Sequence, residues 1–156
     1  MKDRYWHIQM FLPEGKGGTT IDSSQMLKEE NPVIGTGEWD DLQCKYFKGE
    51  GNGLVMGDII MVREGNKPLA LCKIAGDYFH DDNLTDKYIN YWFRNVEVLD
   101  WADPNEWNNL FSQGTLKILH KHSNTDSWHY INDWYKKIIQ KANMKNIIDL
   151  FLQKNK

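Results

Sequence analysis

The sequence predicts an α+β domain in which a small curved mixed sheet or open barrel carries helices near each end. Three observations point there. Several short segments repeat apolar residues at period two, a turn dipeptide joins two of them, and after residue 126 the period switches to that of a helix. A chain of 156 residues that is 40% hydrophobic can bury one core, so residues 1–156 read as a single domain, with a core over about 5–120 and C-terminal helices over about 126–152.

Taken in order, Tyr5 to Leu12 alternates and predicts a strand, with Trp6, Ile8, Met10 and Leu12 on one face and Tyr5, His7 and Gln9 on the other. Pro13 to Thr20 is a Gly-rich loop. Asp22 and Gln25 have capping-box spacing and open a short helix through Glu30, which Pro32 prevents from continuing. Gly57-Asp58 leads into Ile59–Val62, a strand apolar enough to be buried on both faces. Glu64 to Lys67, with Gly65-Asn66 at its centre, turns the chain into a strand over Leu69–Ala75. Further strands are predicted over Tyr91–Leu99 and Thr115–Leu119. The acidic stretch holding Asp77, Asp81, Asp82 and Asp86 reads as a solvated loop. Trp128, Ile131, Trp134 and Ile138 recur at helical spacing behind a Thr125 or Asp126 cap, and Met144, Ile147, Ile148 and Phe151 repeat it in a second helix.

Composition excludes several classes. No apolar run reaches the ~20 residues of a membrane helix. The first twelve residues lack the apolar core of a signal peptide and read as a mature N-terminus. Cys44 and Cys72 read as free buried thiols, and the expected location is cytoplasmic. The net charge of -3 divides unevenly. Residues 116–156 carry 8 Lys and 3 Asp, and the acidic excess lies in the remainder. That asymmetry suits either a nucleic-acid contact on one side or a solvated lysine-bearing helix. The overall acidity excludes a protein that coats DNA through dozens of phosphate contacts.

Catalytic patterns fail on inspection. The string PEGKGGTT lacks the upstream glycine of a phosphate loop and has Gly17 where Ser or Thr should follow Lys16. His120, His122 and His129 lack a further ligand at convincing spacing for zinc. The clustered aspartates do not follow the calcium-loop pattern. No nucleophile has an evident base. The expectation is a non-catalytic protein with no metal and no cofactor.

What remains is the aromatic content, 7 Trp, 7 Tyr and 6 Phe. A chain this short cannot easily hide seven indoles. Trp39 follows Gly35-Thr36-Gly37 and precedes Asp40 and Asp41. It reads as a ring delivered to a ligand by a turn, or else as a ring capping the end of a sheet.

The succession VIGTGEWDDL, GDIIMVREG, LALCKIAGDYFHDD and YWFRNVEVLDW resembles the EVE-like domains of the PUA/YTH superfamily, in the version found at the N-termini of modification-dependent restriction GTPases. The matching positions are Val33 to Leu42, Gly57-Asp58, Gly76-Asp77-Tyr78, and Arg94 with Val96 to Trp101. Here Glu38 stands between Gly37 and Trp39, where the family has Trp directly after Gly. The likeness spans about residues 5–120. It implies a PUA-like fold and a module that flips a methylated adenine or cytosine out of DNA into an aromatic pocket, as the specificity domain of a restriction system with a fused or separate GTPase and nuclease. The residues expected at the base are Trp39, Asp40 or Asp41, and one or more of Trp6, Tyr78 and Trp92. Lys16, Lys136, Lys137 and Lys141 are the expected phosphate contacts. Rival readings are a methylated-RNA reader, a protein-interaction adaptor and a small hydrolase.

Overall fold

Strand pairing places every strand in one sheet. The computed structural model describes residues 3–10, 22–106 and 115–156. Its elements are β1 (Arg4–Gln9), α1 (Ser24–Leu27), β2 (Val33–Thr36), α2 (Leu42–Phe47), β3 (Ile59–Glu64), β4 (Lys67–Phe79), α3 (Asp82–Tyr88), β5 (Trp92–Trp101), β6 (Leu116–His120) and α4 (Asp126–Lys154). The strand order is β2-β5-β4-β3-β1-β6. Among the described residues only the β1–β3 pair is parallel; the other pairs are antiparallel. This is the expected α+β mixed sheet with flanking helices.

The hairpin expected at Gly65-Asn66 is present. Glu64 pairs with Lys67, and Gly65 takes φ +59, a backbone angle that a side chain disfavours. β3 is buried along nearly its whole length, as its unbroken apolar run requires. Trp6, Ile8, Ile60, Val62, Cys72 and Ile74 fill one side of the sheet. Tyr5, Ile59, Met61 and Leu71 fill the other, beneath Trp128 and Ile131 of α4. Both cysteines are free and buried.

Four local expectations change. The Asp22 helix ends at Leu27 rather than Glu30, because a turn intervenes before Pro32. The acidic stretch is partly helical: the Asp81 side chain accepts from the backbone N–H groups of Asn83 and Leu84 and so opens α3. β2 and α2 occupy a segment in which turn residues hide a short strand and a short helix. The two C-terminal helices are one, since nothing between Ile139 and Met144 breaks the chain and Thr125 Oγ1 caps the whole rod from its start. The Gly-rich stretch with Lys16 lies outside the described residues.

Two buried polar anchors fix the framework. Asp58 Oδ2 accepts from Arg4 Nη2 (2.9 Å), Trp6 Nε1 (3.0 Å) and Val55 N (3.0 Å), directly after Gly57 at φ +85. Arg94, also buried, donates to the carbonyls of Gly76 (3.1 Å), Phe47 (3.0 Å) and Leu54 (3.0 Å). It thereby ties the end of α2 to the irregular stretch of β4 between Ile74 and Tyr78.

Candidate functional site

β2 and β6 are the two edges of the sheet and do not pair with each other. Instead α2 bridges them. The chain leaves β2 at Thr36, turns through Gly37 and enters α2. There Gln43 Oε1 accepts from the backbone N–H of Leu116 at the start of β6 (2.8 Å). This seam leaves a cavity of about 340 Å³ lined by Thr36, Trp39, Asp41, Gln43 and Thr115.

Trp39 stands at this cavity with 67% of its surface exposed. Its indole is folded back onto Gly37: a Cβ built there would lie 2.2 Å from Nε1 and 2.6 Å from Cε2. Any side chain at 37 would therefore lift the ring, and glycine lets it lie on the backbone. An indole held against the chain and still two-thirds exposed offers ring surface on which a planar ligand could stack. Asp41 has a second duty. Its Oδ1 accepts from Cys44 N at 2.7 Å and caps α2. That bond fixes the carboxylate and leaves Oδ2 as the acceptor for a ligand. The Leu116 contact similarly fixes the Gln43 amide, so that its Nε2 is a donor of set direction.

The other expected site residues fall in different places. Asp40 points to solvent with a fully exposed side chain, 4.0 Å from Lys45 Nζ, and does not line the cavity. Trp6 is entirely buried in the core, where Asp58 holds its indole N–H, and does not reach the cavity. Tyr78 and Trp92 come together, edge to face at 5.3 Å between centroids. Trp92 also meets Tyr91 edge-on at 4.7 Å, and His80 stacks on Tyr91 at 4.0 Å. The ammonium of Lys48 lies 5.9 Å from the Tyr78 ring and 5.5 Å from the Trp92 ring. This cluster adjoins the cavity through the ladder, since Trp92 pairs directly across from Thr36 and opposite residues share a face. His80 binds the Tyr91 carbonyl through Nδ1 and Asp82 through Nε2, and both contacts raise its pKa.

Lys136, Lys137 and Lys141 are exposed on α4. Lys137 and Lys141 line a separate cleft that also carries Asp100, Asp103, Glu106 and Asp133, carboxylates that compete with a phosphate for them. Thr36, Gln43 and Lys48 are additions that the sequence did not reveal. Finding Gln43 needed α2, whose only sequence signal is the Asp41 cap.

His120 and His122 stack at 5.0 Å. Among the described residues, no group of three His, Cys, Asp or Glu side chains could hold a metal ion. Among the same residues, no helix is long and apolar enough to cross a membrane.

No protein-family model matches the chain, and no curated protein matches it in sequence. Among solved structures it is similar to the human THYN1 protein, determined in complex with 5-methylcytosine-containing DNA. The TM-score is 0.43 and the identity 14%, over 63% of this chain and 67% of that one.

Proposed function

We propose that this domain reads modified bases in DNA. An extruded methylated adenine or cytosine would stack on Trp39, with its exocyclic amine donating to Asp41 Oδ2 and a ring acceptor facing Gln43 Nε2. The observation that carries this reading is the exposed indole, folded back against Gly37 beside a cavity whose polar groups are already oriented by α2. Extraction of a base costs a few kcal/mol, and stacking on one ring returns about 1–3 kcal/mol. A methyl on the amine adds about 1 kcal/mol of apolar contact. The balance favours a modified base over an unmodified one without absolute discrimination.

The resemblance to restriction-associated EVE-like domains extends the proposal to a specificity module working with a GTPase and a nuclease. In that role the domain reads and other subunits cut. Lys16, Lys136, Lys137 and Lys141 are its proposed phosphate contacts.

The test is titration of short duplexes with and without one methylated base, with single-stranded methylated RNA as a further arm. The wild type should prefer the methylated duplex. Trp39→Ala should lose roughly 5- to 150-fold in affinity while keeping its fold, because the ring has little to do with the core. Equal affinity for modified and unmodified duplexes in both proteins would overturn the reading. A preference for the RNA would reassign the polymer and keep the pocket.

A further inference from the structure

The rod-like α4 carries two apolar stripes that do not face the same way. Side chains advance by about 100° per residue. Trp128, Ile131, Tyr135 and Ile138 pack on the sheet, whereas Met144, Ile148 and Phe151 centre roughly 150° around the axis from them. These three, with Ile147, Leu150 and Leu152, are half to two-thirds exposed, and Phe151 reaches 67%. The second stripe therefore cannot be a continuation of the contact with the chain's own sheet. Six open apolar side chains on one helix end form a patch that soluble proteins seldom leave bare.

The same side of α4, followed back towards its root, becomes one wall of the acidic cleft. Tyr130, Asp133, Lys137 and Lys141 line that wall, and Asp100, Trp101, Asp103 and Glu106 form the opposite one. The carboxylates are set in place: Asp100 Oδ2 accepts from Trp134 Nε1 at 2.8 Å, and Glu106 accepts from the Tyr130 hydroxyl. The cleft measures about 360 Å³, and Trp101 and Trp134 give it an apolar component. One face of one helix thus adjoins, at its root, a cleft in which four carboxylates outnumber Lys137 and Lys141, and presents at its tip an apolar stripe flanked by Lys145 and Lys154, in a segment where lysines outnumber Asp149.

We propose that this face binds a second copy of the chain. Two α4 helices would lie antiparallel about a two-fold axis, each tip placing Met144, Ile148 and Phe151 in the cleft of the other. A face whose two ends complement each other is closed by this symmetry, because each copy then gives and receives the same contact. The lysines that flank the tip approach a cleft with an excess of carboxylates, so attraction of opposite charge adds to apolar burial. The Trp39 cavity shares no residue with this face, but the pair would cover Lys137 and Lys141 and so withdraw them from the phosphate role proposed above.

Sedimentation equilibrium of the full chain, from low to high micromolar concentration, tests it. The wild type should form a dimer whose dissociation constant rises with ionic strength. Phe151→Glu should raise that constant by about thirtyfold or more, with near-ultraviolet dichroism unchanged because the side chain is outside the core. Asp133→Lys should weaken the dimer and flatten its salt dependence. A wild type that stays monomeric at every concentration would overturn the proposal, whatever else then covers the stripe. So would a dimer that survives Ile148→Glu combined with Phe151→Glu.

Discussion

Asp41 and Asp40 stand side by side in sequence, and the structure gives them different surroundings. Asp41 is drawn inward by the first turn of α2, whereas Asp40 is left in solvent beside Lys45. Asn caps a helix about as well as Asp, so Asp41→Asn should leave the melting temperature nearly unchanged. It should nevertheless blur the choice between amine-bearing and carbonyl-bearing bases, because an amide can present a donor as well as an acceptor. Asp40→Asn should change neither property. Melting curves and duplex titrations on the two variants check this together. If Asp40 proved to be the residue that matters, the site would have to open on the other side of the turn. The sequence could name the pair but could not choose between them, because the choice depends on a six-residue helix whose only advertisement is its cap. The same limit applies to Trp6: alternation placed it on the inward face, but its core role rests on the bond to Asp58, 52 residues away.

At the scale of elements, the seam depends on Arg94. This buried guanidinium joins the end of α2 to β4 through three carbonyls and, among the described residues, has no carboxylate as a direct partner; burial pulls its pKa below the ordinary value, while the charges of Asp77 and Asp58 oppose that shift. Arg94→Met would keep much of the volume and strand those carbonyls. Each buried group left without a partner costs about 1–3 kcal/mol, so a loss of about 3 kcal/mol or more is expected in urea unfolding. A change below about 1 kcal/mol would mean that water replaces the guanidinium. Long elements with a clear period were legible: β1, β3, the Gly65-Asn66 hairpin, β5 and the root of α4. Short ones were not. β2 has only four residues and includes Gly35, and α3 begins in a run of acids that looks solvated until Asp81 turns its carboxylate onto the following amides.

At the scale of the whole molecule, stability should depend on acidity through one histidine. His7 is wholly buried between strands, and its Nδ1 accepts from Arg63 Nε at 3.2 Å. Burial first, then the charges of Arg63 and Lys117, lower its pKa from 6.5 to about 3. The unfolded chain takes up a proton below about pH 6.5, while the folded chain declines it until about pH 3. The stabilisation is therefore complete above pH 6.5 and is lost as pH falls, by about 1.4 kcal/mol per unit. His80 has the opposite sign, since its raised pKa favours the folded state at lower pH, but it is exposed and screened. Urea midpoints of the wild type should fall from pH 6.5 to 5, whereas His7→Asn, which keeps an acceptor for Arg63, should remove most of the slope. Equal slopes in the two proteins would show that His7 takes up its proton in the folded state.

The unbroken course of α4 has one more consequence. A helix of 29 residues with no proline, glycine or bulge is a rod about 43 Å long, clamped to the sheet over its first few turns. Its far end is consequently held at a set distance and a set rotational phase from the sheet, as a cog is held on a shaft. Lengthening the shaft by one residue would turn the far end through about 100°. Lengthening it by seven would carry that end about 10 Å outward with only ~20° of rotation. Whatever engages the tip is therefore gauged in heptads: its partner can tolerate a change in reach more readily than a change in phase.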